Sequence, residues 1–378
     1  MKVLNNIVVF KLVLFMFIGI LDKSYSQTKN QGLFKDKNIL SLKLQYTNKQ
    51  LKKDTDKHNA VYTDLIYKTA TGWDTIPVYL NARGNFRKAN CYFPPLKMNI
   101  KKSLSKNTVF EEHKKLKLVL PCLLQSRGND DVLKEYLAYK IYEIVSIEHF
   151  KTRLASIEYK DTRGVKSEIH PLAVFIPENL RKSTIYEEEE AFASKKPKTH
   201  ILKAIVIEDD KVVAKRSEAK VLDRFVHPLN QAEIPSVTNA FFQFMIGNTD
   251  FSTAYQHNQK LIFKEGETIP VPYDFDMSGL VNTSYAVVSN IQNTTLDITN
   301  VEQRLYRGFK REQVILEKVR QLYLKRQPQI LNLFDEHRPL FEDKKSCDEA
   351  KEYANSFFDI LMSDIKFNTE IVAKAREK

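Results

Sequence analysis

The sequence predicts an α+β protein with a strand-rich N-terminal lobe at 35–205 and a mainly helical C-terminal lobe at 206–378. Apolar and polar residues alternate in several segments before residue 121, which is the pattern of half-buried strands. Beyond Val301 the pattern is helical to the end of the chain. Hydrophobic residues make up 43% of the chain and charged residues 28%, which is typical of a folded globular protein.

The predicted elements follow from these periodicities. A helix is expected from Asn129 to about Val145, because acidic residues at its start favour the positive end of the helix dipole. A second helix begins near Ser236 and ends at Gly247, and the helices beyond Val301 are expected to break near Pro328 and Pro339. Strands are predicted at 39–46, 60–67, 74–82, 94–100, 116–120, 153–159, 172–176, 201–207, 261–263 and 269–271, and a charged loop at 181–198.

The N-terminus has the pattern of a secretory signal peptide at 1–26. Lys2 and Lys11 precede an uncharged apolar run, and small residues at Ser24 and Ser26 form the cleavage signal. The run is too short to span a membrane, although an uncleaved anchor is the alternative interpretation. We therefore expect cleavage near Ser26, export to a periplasmic or extracellular compartment, and no membrane span in the mature chain.

Charge and cysteine content exclude some classes of function. The net charge is +12, but the basic residues are spread along the chain, so we expect a solvated surface or an affinity for anionic envelope surfaces, and no nucleic-acid partner. The three cysteines form no CxxC pair, which argues against zinc. One disulfide with a leftover thiol is possible in an oxidising compartment, but three buried small side chains are the preferred interpretation.

Two acidic motifs have the order of a phosphoryl-transfer site. Asp250 follows a helix, Asn258 lies shortly downstream, and Asp274 leaves a short apolar strand. In such sites one carboxylate orients the attacking hydroxyl, and an Asn and a second Asp hold magnesium. If the segment after the strand is extended, Asp274 and Asp276 point to opposite faces, so only one can face a cleft. We favour Asp274.

Basic residues in the N-terminal lobe could hold phosphate. Lys97 lies on a predicted strand, and Glu135 on the helix is available to pair with it, although Glu143 on the same face is an alternative. Arg83 and Arg87 flank a glycine turn after a strand and could grip phosphate oxygens. The chain has neither a GxGxxG run nor a Walker sequence.

Together these residues resemble the CotH-like (spore coat protein H-like) family of atypical secreted kinases. The resemblance covers roughly residues 75 to 285. It rests on Arg83-Gly84-Asn85-Phe86-Arg87, Phe93-Pro94-Pro95-Leu96-Lys97, Glu135-Tyr136-Leu137-Ala138-Tyr139, Asn248-Thr249-Asp250 to Asn258, and Pro272-Tyr273-Asp274-Phe275-Asp276.

The resemblance implies a two-lobed, atypical protein-kinase-like fold that transfers phosphoryl groups from ATP, with Mg²⁺ or Mn²⁺, to a protein or envelope hydroxyl. Lys97 would hold the nucleotide phosphates and Glu135 would orient it. Asp250 would accept the substrate proton, and Asn258 and Asp274 would hold the metal. The alternative is a non-catalytic envelope-binding protein on the same scaffold; a metal-dependent hydrolase is disfavoured because no His-rich ligand set exists.

Overall fold

The computed structural model describes residues 32–53, 60–124, 127–162, 198–289 and 296–377. The expected signal peptide at 1–26, the expected strand at 172–176 and nearly all of the charged loop at 181–198 lie outside the described residues. Within the described part, the α+β prediction is confirmed.

Seven strands of the N-terminal part form a closed barrel in the order β1-β2-β3-β4-β5-β7-β6. All neighbouring pairs are antiparallel except β1 and β6, which pair in parallel and close the ring. The strands are β1 (Leu40–Tyr46), β2 (Val61–Lys68), β3 (Trp73–Ala82), β4 (Leu96–Ile100), β5 (Lys115–Val119), β6 (Thr152–Asp161) and β7 (Thr199–Glu208).

Alternation along each strand fills the barrel and leaves its outer face for other contacts. On β4, for example, Leu96, Met98 and Ile100 are buried in the interior cluster, whereas Lys97 is exposed on the outside. Both edges of β6 are paired with described strands: β7 is antiparallel to it, with Thr152 opposite Ile207, and β1 is parallel to it.

A second sheet and a set of helices make up the rest of the described chain. The sheet is antiparallel, in the order β10-β9-β8. Its strands are β8 (Lys220–Leu222), β9 (Gln259–Lys264) and β10 (Glu267–Pro272). The helices are α1 (Asn48–Lys53), α2 (Asn85–Asn90), α3 (Lys102–Ser105), α4 (Gly128–Val145), α5 (Asp210–Arg216), α6 (Glu233–Met245), α7 (Gln313–His337), α8 (Lys344–Met362) and α9 (Asp364–Phe367), with 3-10 turns at Pro228–Asn230 and Arg338–Leu340 and a π-helical turn at Asn368–Val372.

The apolar core has two parts. One fills the barrel, and the other lies where α4 packs between the outer face of the barrel and the C-terminal helices. Apolar burial of this extent is the main stabilising contribution to such a fold. Because α4 is covered on nearly all sides, even its charged residues Asp130, Lys134 and Glu135 are buried. Asp130 accepts backbone hydrogen bonds from Glu342 and Asp343, both 2.8 Å, which tie α4 to the start of α8.

The expected helix break at Pro328 is wrong, because α7 continues through this residue. Proline removes one backbone hydrogen bond, but Tyr323 before it and Ile330 and Phe334 after it are fully buried in the helical core. This packing holds the helix on both sides of Pro328. The predicted break near Pro339 does occur, at the 3-10 turn between α7 and α8.

The preferred interpretation of the cysteines is also wrong. Cys91 and Cys122 form a disulfide, with their Cα atoms 4.5 Å apart, and Cys347 is a buried free thiol. The disulfide joins the end of α2 to the segment after β5. Among the described residues, no helix is both long and apolar enough to cross a membrane.

Candidate functional site

Arg87 is placed by the connection between β3 and β4. Gly84 takes a φ of 75°, a conformation that other residues rarely adopt, and this turns the chain from β3 into α2. The helix then ends at the Cys91–Cys122 disulfide, and the Tyr92 amide donates to the Cys122 carbonyl at 2.7 Å. The disulfide therefore fastens the helix that carries Arg87 beside the end of β5.

The Arg87 guanidinium lies at the centre of three carboxylates, which we call the Arg87 cluster. Its Nη1 is 3.6 Å from Glu135 Oε2 and 3.8 Å from Asp274 Oδ1, and its Nε is 3.6 Å from Asp276 Oδ2. Its Nη2 donates to the Leu120 carbonyl at 2.9 Å. Arg87, rather than Lys97, is thus the cationic partner of the helix glutamate.

Asp274 and Asp276 both face Arg87, so the expectation that they point to opposite faces is wrong. That expectation assumed an extended segment, but Asp274 has a φ of 65° and the chain turns there. The Asp274 amide donates to the Tyr139 hydroxyl at 2.9 Å, which fixes the turn against α4. Tyr139 lies one helical turn after Glu135, so one face of α4 positions both the glutamate and the turn.

Burial dominates the electrostatics of the Arg87 cluster. It raises the pKa of Glu135 to about 8; Arg87 opposes this change, while Asp276 and Asp274 add to it. It also raises the pKa of Asp276 to about 6, again against the effect of Arg87. One guanidinium therefore does not fully compensate three crowded carboxylates.

The second acidic group, the Asp250 cluster, consists of Asp250, His257, Asn258 and Ser289. The Asn258 side-chain amide donates to Asp250 Oδ2 at 2.9 Å, and the Ser289 hydroxyl donates to Oδ1 at 3.0 Å. His257 Nε2 lies 3.2 Å from the same Oδ1. Burial raises the pKa of Asp250, but these hydrogen bonds outweigh it and leave the pKa below its ordinary value. The hydrogen bond to Asp250 in turn raises the pKa of His257.

The Asp250 cluster rests on a buried chain of side-chain amides. Asn248 accepts from the Asp250 backbone amide at 2.9 Å, and donates to Gln243 on α6 at 2.8 Å. Gln243 donates to Asn239 at 3.3 Å, and Asn239 donates to Gln259 on β9 at 3.1 Å. Sequence reasoning included Asn248 in a motif but missed Asn239, Gln243 and Gln259. The available signal was two amides, at 239 and 243, spaced one turn apart among the apolar residues in the second half of α6.

The turn that presents Asp250 depends on close packing. Gly247 has a φ of 63°, and a Cβ there would lie 2.0 Å from the Tyr353 hydroxyl. The Gly279 amide donates to the Gly247 carbonyl at 3.1 Å. The segment after α6 is therefore held against the loop after Asp276, so the two acidic motifs share one support.

Lys117 on β5 is a third element that sequence reasoning did not select. Its side chain is 14% exposed, its Nζ lies 3.5 Å from Asp210 Oδ1, and it stands over the rings of Phe150 and Tyr273 at 4.7 and 5.1 Å. Burial, aided by the nearby charge of Arg83, lowers its pKa to about 8. Because Tyr273 precedes Asp274, Lys117 lies beside the acidic turn.

The structure separates the predicted residues into two groups. Arg87, Glu135 and Asp274 meet in the Arg87 cluster, and Asp250 and Asn258 meet in the Asp250 cluster. Lys97 lies opposite Lys117 across the β4–β5 pair, on the exposed outer face, and within the described chain it forms no ion pair. Arg83 is half-buried near Lys117 and Tyr139.

The donor chemistry of the site suits a hard cation. Its candidate ligands are the oxygens of Asp274, Asp276 and Asn258, and Glu135 Oε1 is buried without a hydrogen-bond partner. A small cavity beside this atom is lined by Arg87, Asp276 and Tyr285. In the part of the chain that the structure describes, no group of three or more His, Cys, Asp or Glu side chains is arranged to hold a metal. Mg²⁺ does not require such a group, because one or two carboxylates with water and substrate phosphates are sufficient.

The chain matches no known family model and no curated protein.

Proposed function

We propose that this protein is a CotH-like atypical kinase with a two-lobed, protein-kinase-like fold, and that it transfers a phosphoryl group to a hydroxyl acceptor. One observation supports the proposal above the others. Glu135 on α4 and Asp274 in the turn after β10, which are far apart in sequence, both lie beside the guanidinium of Arg87. Two acidic residues from separate motifs of the sequence thus lie beside the same cation.

The residues of the site would divide the work as follows. ATP with Mg²⁺ or Mn²⁺ would supply the phosphoryl group, and Asp274 and Asn258 would hold the metal. Lys117, which is largely buried, and Arg83 would offer positive charge for phosphate oxygens, and Lys97 would offer the same charge from an exposed position. Asp250 would orient and deprotonate the acceptor hydroxyl, and its lowered pKa keeps it ionised at neutral pH.

A non-catalytic binding protein on the same scaffold is the second candidate. The observation that favours it is that the site is internally paired. Asp274 and Asp276 already face Arg87, and the Asp250 carboxylate already accepts hydrogen bonds from Asn258 and Ser289. A phosphoryl donor would have to compete with these contacts, whereas a binding protein would not need to break them.

Calorimetric titration of the purified protein with ATP and Mn²⁺ tests the first proposal. We expect ATP to bind. We expect Asp274→Ala to weaken this binding by at least about tenfold, because the metal that bridges the protein and the phosphates would lose a charged ligand. The variants Lys97→Ala and Lys117→Ala compare the two candidate lysines. Lys115→Ala, which changes an exposed lysine on the same strand as Lys117, is the matched control. Absence of ATP binding by the intact protein would rule out the kinase proposal.

Transfer is measured separately from binding. Asp250→Asn should retain ATP binding but reduce phosphate incorporation into protein acceptors by roughly 10²–10⁴-fold, the usual effect of removing a general base. If the intact protein binds ATP but transfers no phosphate to any acceptor, and Asp250→Asn changes nothing, the binding-protein alternative is supported.

A further inference from the structure

A second pocket borders the Asp250 segment and is rich in arginine. Arg307, Arg311 and Arg376 line it, together with the hydroxyl residues Ser236 and Thr253, and it opens to the solvent. We call it the arginine pocket. Its lining contains several hydrogen-bond donors.

The charges of the arginine pocket are incompletely balanced. Arg311 Nη1 lies 3.2 Å from Glu233, and its Nη2 donates to the Pro228 carbonyl at 2.8 Å. Arg307 and Arg376 donate only to backbone carbonyl oxygens, and within the described chain neither has a carboxylate at ion-pair distance. Two guanidinium groups thus line one pocket without an ion-pair partner among the described residues.

These two arginines are also held close to each other. Arg376 Nη2 donates to the Arg307 carbonyl, and its guanidinium stacks 4.2 Å from the ring of Phe309. The backbone of Arg376 pairs with the chain at Gly308 and Lys310, which holds this backbone beside the segment that carries Arg307. Burial and the charge of Arg307 together lower the pKa of Arg376 to about 10, as expected for two neighbouring cations.

We propose that the arginine pocket binds a phosphate group, either inorganic phosphate or a phosphomonoester carried by a protein side chain. Planar guanidinium groups match the geometry of phosphate oxygens, and they donate without being deprotonated. Nε and Nη2 of Arg307, and Nε and Nη1 of Arg376, donate to no acceptor among the described residues, so they can donate to an anion. The hydroxyls of Ser236 and Thr253 supply neutral donors in the same pocket.

The pocket is connected to the candidate site through the backbone. Arg307 Nη1 donates to the carbonyls of Thr249 and Phe251, which lie on either side of Asp250. An anion that offsets the repulsion between Arg307 and Arg376 would stabilise Arg307 in this position and so stabilise the Asp250 segment. The inference concerns binding and local stability and does not depend on the proposed phosphoryl transfer.

The test is a titration of the intact protein with inorganic phosphate and, in a second arm, with a phosphoserine peptide. Calorimetry measures affinity, and hydrogen exchange follows the amides of residues 248–252. We expect binding with slower exchange of these amides, and Arg376→Gln should weaken binding by about tenfold or more. The arm with the tighter binding identifies the source of the phosphate group.

The matched control is Lys374→Gln, which removes one positive charge from the same C-terminal segment but lies outside the arginine pocket. Arg376→Lys keeps the charge but loses the planar fork, so an intermediate affinity is expected even if the glutamine variant folds poorly. Absence of phosphate binding in both arms, or equal losses in Arg376→Gln and Lys374→Gln, would overturn the proposal. Binding without slower exchange at 248–252 would overturn the link to Asp250.

Discussion

The Arg87 cluster and the Asp250 cluster are neighbours, but they hold their carboxylates by different means. In the Arg87 cluster three carboxylates share one guanidinium at 3.6 to 3.8 Å, distances that exceed those of tight hydrogen bonds. In the Asp250 cluster a single carboxylate accepts hydrogen bonds at 2.9 and 3.0 Å from neutral donors. The Arg87 cluster has more carboxylates than its single cation balances, whereas both carboxylate oxygens of Asp250 have hydrogen-bond donors.

This difference sets opposite protonation tendencies a short distance apart. The pKa of Glu135 and of Asp276 is raised, whereas the pKa of Asp250 is lowered. A pair of acidic groups driven in opposite directions by their surroundings is a common feature of functional sites. The Arg87 cluster is therefore the part that an added cation would stabilise. The Asp250 carboxylate, in contrast, stays ionised without an added cation.

Removing the central cation should have the largest effect. Arg87→Gln leaves the carboxylates of the Arg87 cluster buried without a counter-charge, so we expect the free energy of unfolding to fall by about 3–5 kcal/mol in urea denaturation at pH 7. Lys88→Gln on the same helix is the control and should change it by less than about 0.5 kcal/mol. Adding Asp276→Asn to Arg87→Gln should recover part of the loss; a simple sum of the two single effects would contradict the shared-cation description.

The raised pKa of Glu135 should make stability depend on pH. Its pKa in the folded protein is about 8, above the ordinary value of 4.5, so the folded state binds the proton more tightly. The stability is therefore highest below pH 4.5 for this group and falls as pH rises toward 8. Glu135→Gln should flatten that part of the profile and stabilise the protein at pH 8 by about 1–2 kcal/mol relative to the parent.

Urea denaturation at a series of pH values between 4.5 and 8.5 measures this effect. The matched control is Glu143→Gln, two turns along the same helix, where the glutamate is 34% exposed and pairs with Lys140. If the control flattens the profile as much as Glu135→Gln does, the pH dependence does not arise in the Arg87 cluster.

The Asp250 cluster should respond much less. His257 is 48% exposed, so its ion pair with Asp250 is screened, and His257→Gln should lower stability by less than about 1 kcal/mol. The pKa of His257 is raised, so this contribution is present below pH 6.5 and is lost as pH rises through the folded-state value. NMR titration of the ring should show a pKa above 6.5 that falls in Asp250→Asn; an unchanged value would show that Asp250 is not its partner.

The sequence predicted the strands well because their apolar alternation is local. What it could not predict was the closure of the barrel, since β1 and β6 are separated by more than a hundred residues and nothing in either strand specifies a parallel partner. The prediction of a helix break at Pro328 was wrong for a related reason. The packing that holds α7 together comes from other helices, and local propensity does not contain it.

The candidate site was predicted in part. Asp250 and Asn258 do contact each other, and Glu135 does face away from solvent toward the acidic turn. The predicted pairing of Glu135 with Lys97 was wrong, and Arg87 is the partner instead. The sequence could not decide between these two residues, because a lysine on the outer face of a strand and an arginine in a turn look equally available. The disulfide that brings Arg87 to this position was one of two interpretations that the cysteine count left open.

In the closed barrel, the pairing of β6 with β7 does not depend on the length of the segment that joins them. β6 and β7 are antiparallel neighbours, with Lys160 opposite Thr199, so the chain leaves the ring at residue 161 and re-enters it one strand spacing away. A turn of a few residues would bridge these two ends. The paired strands therefore set the register of the ring and of the outer face that supports the candidate site.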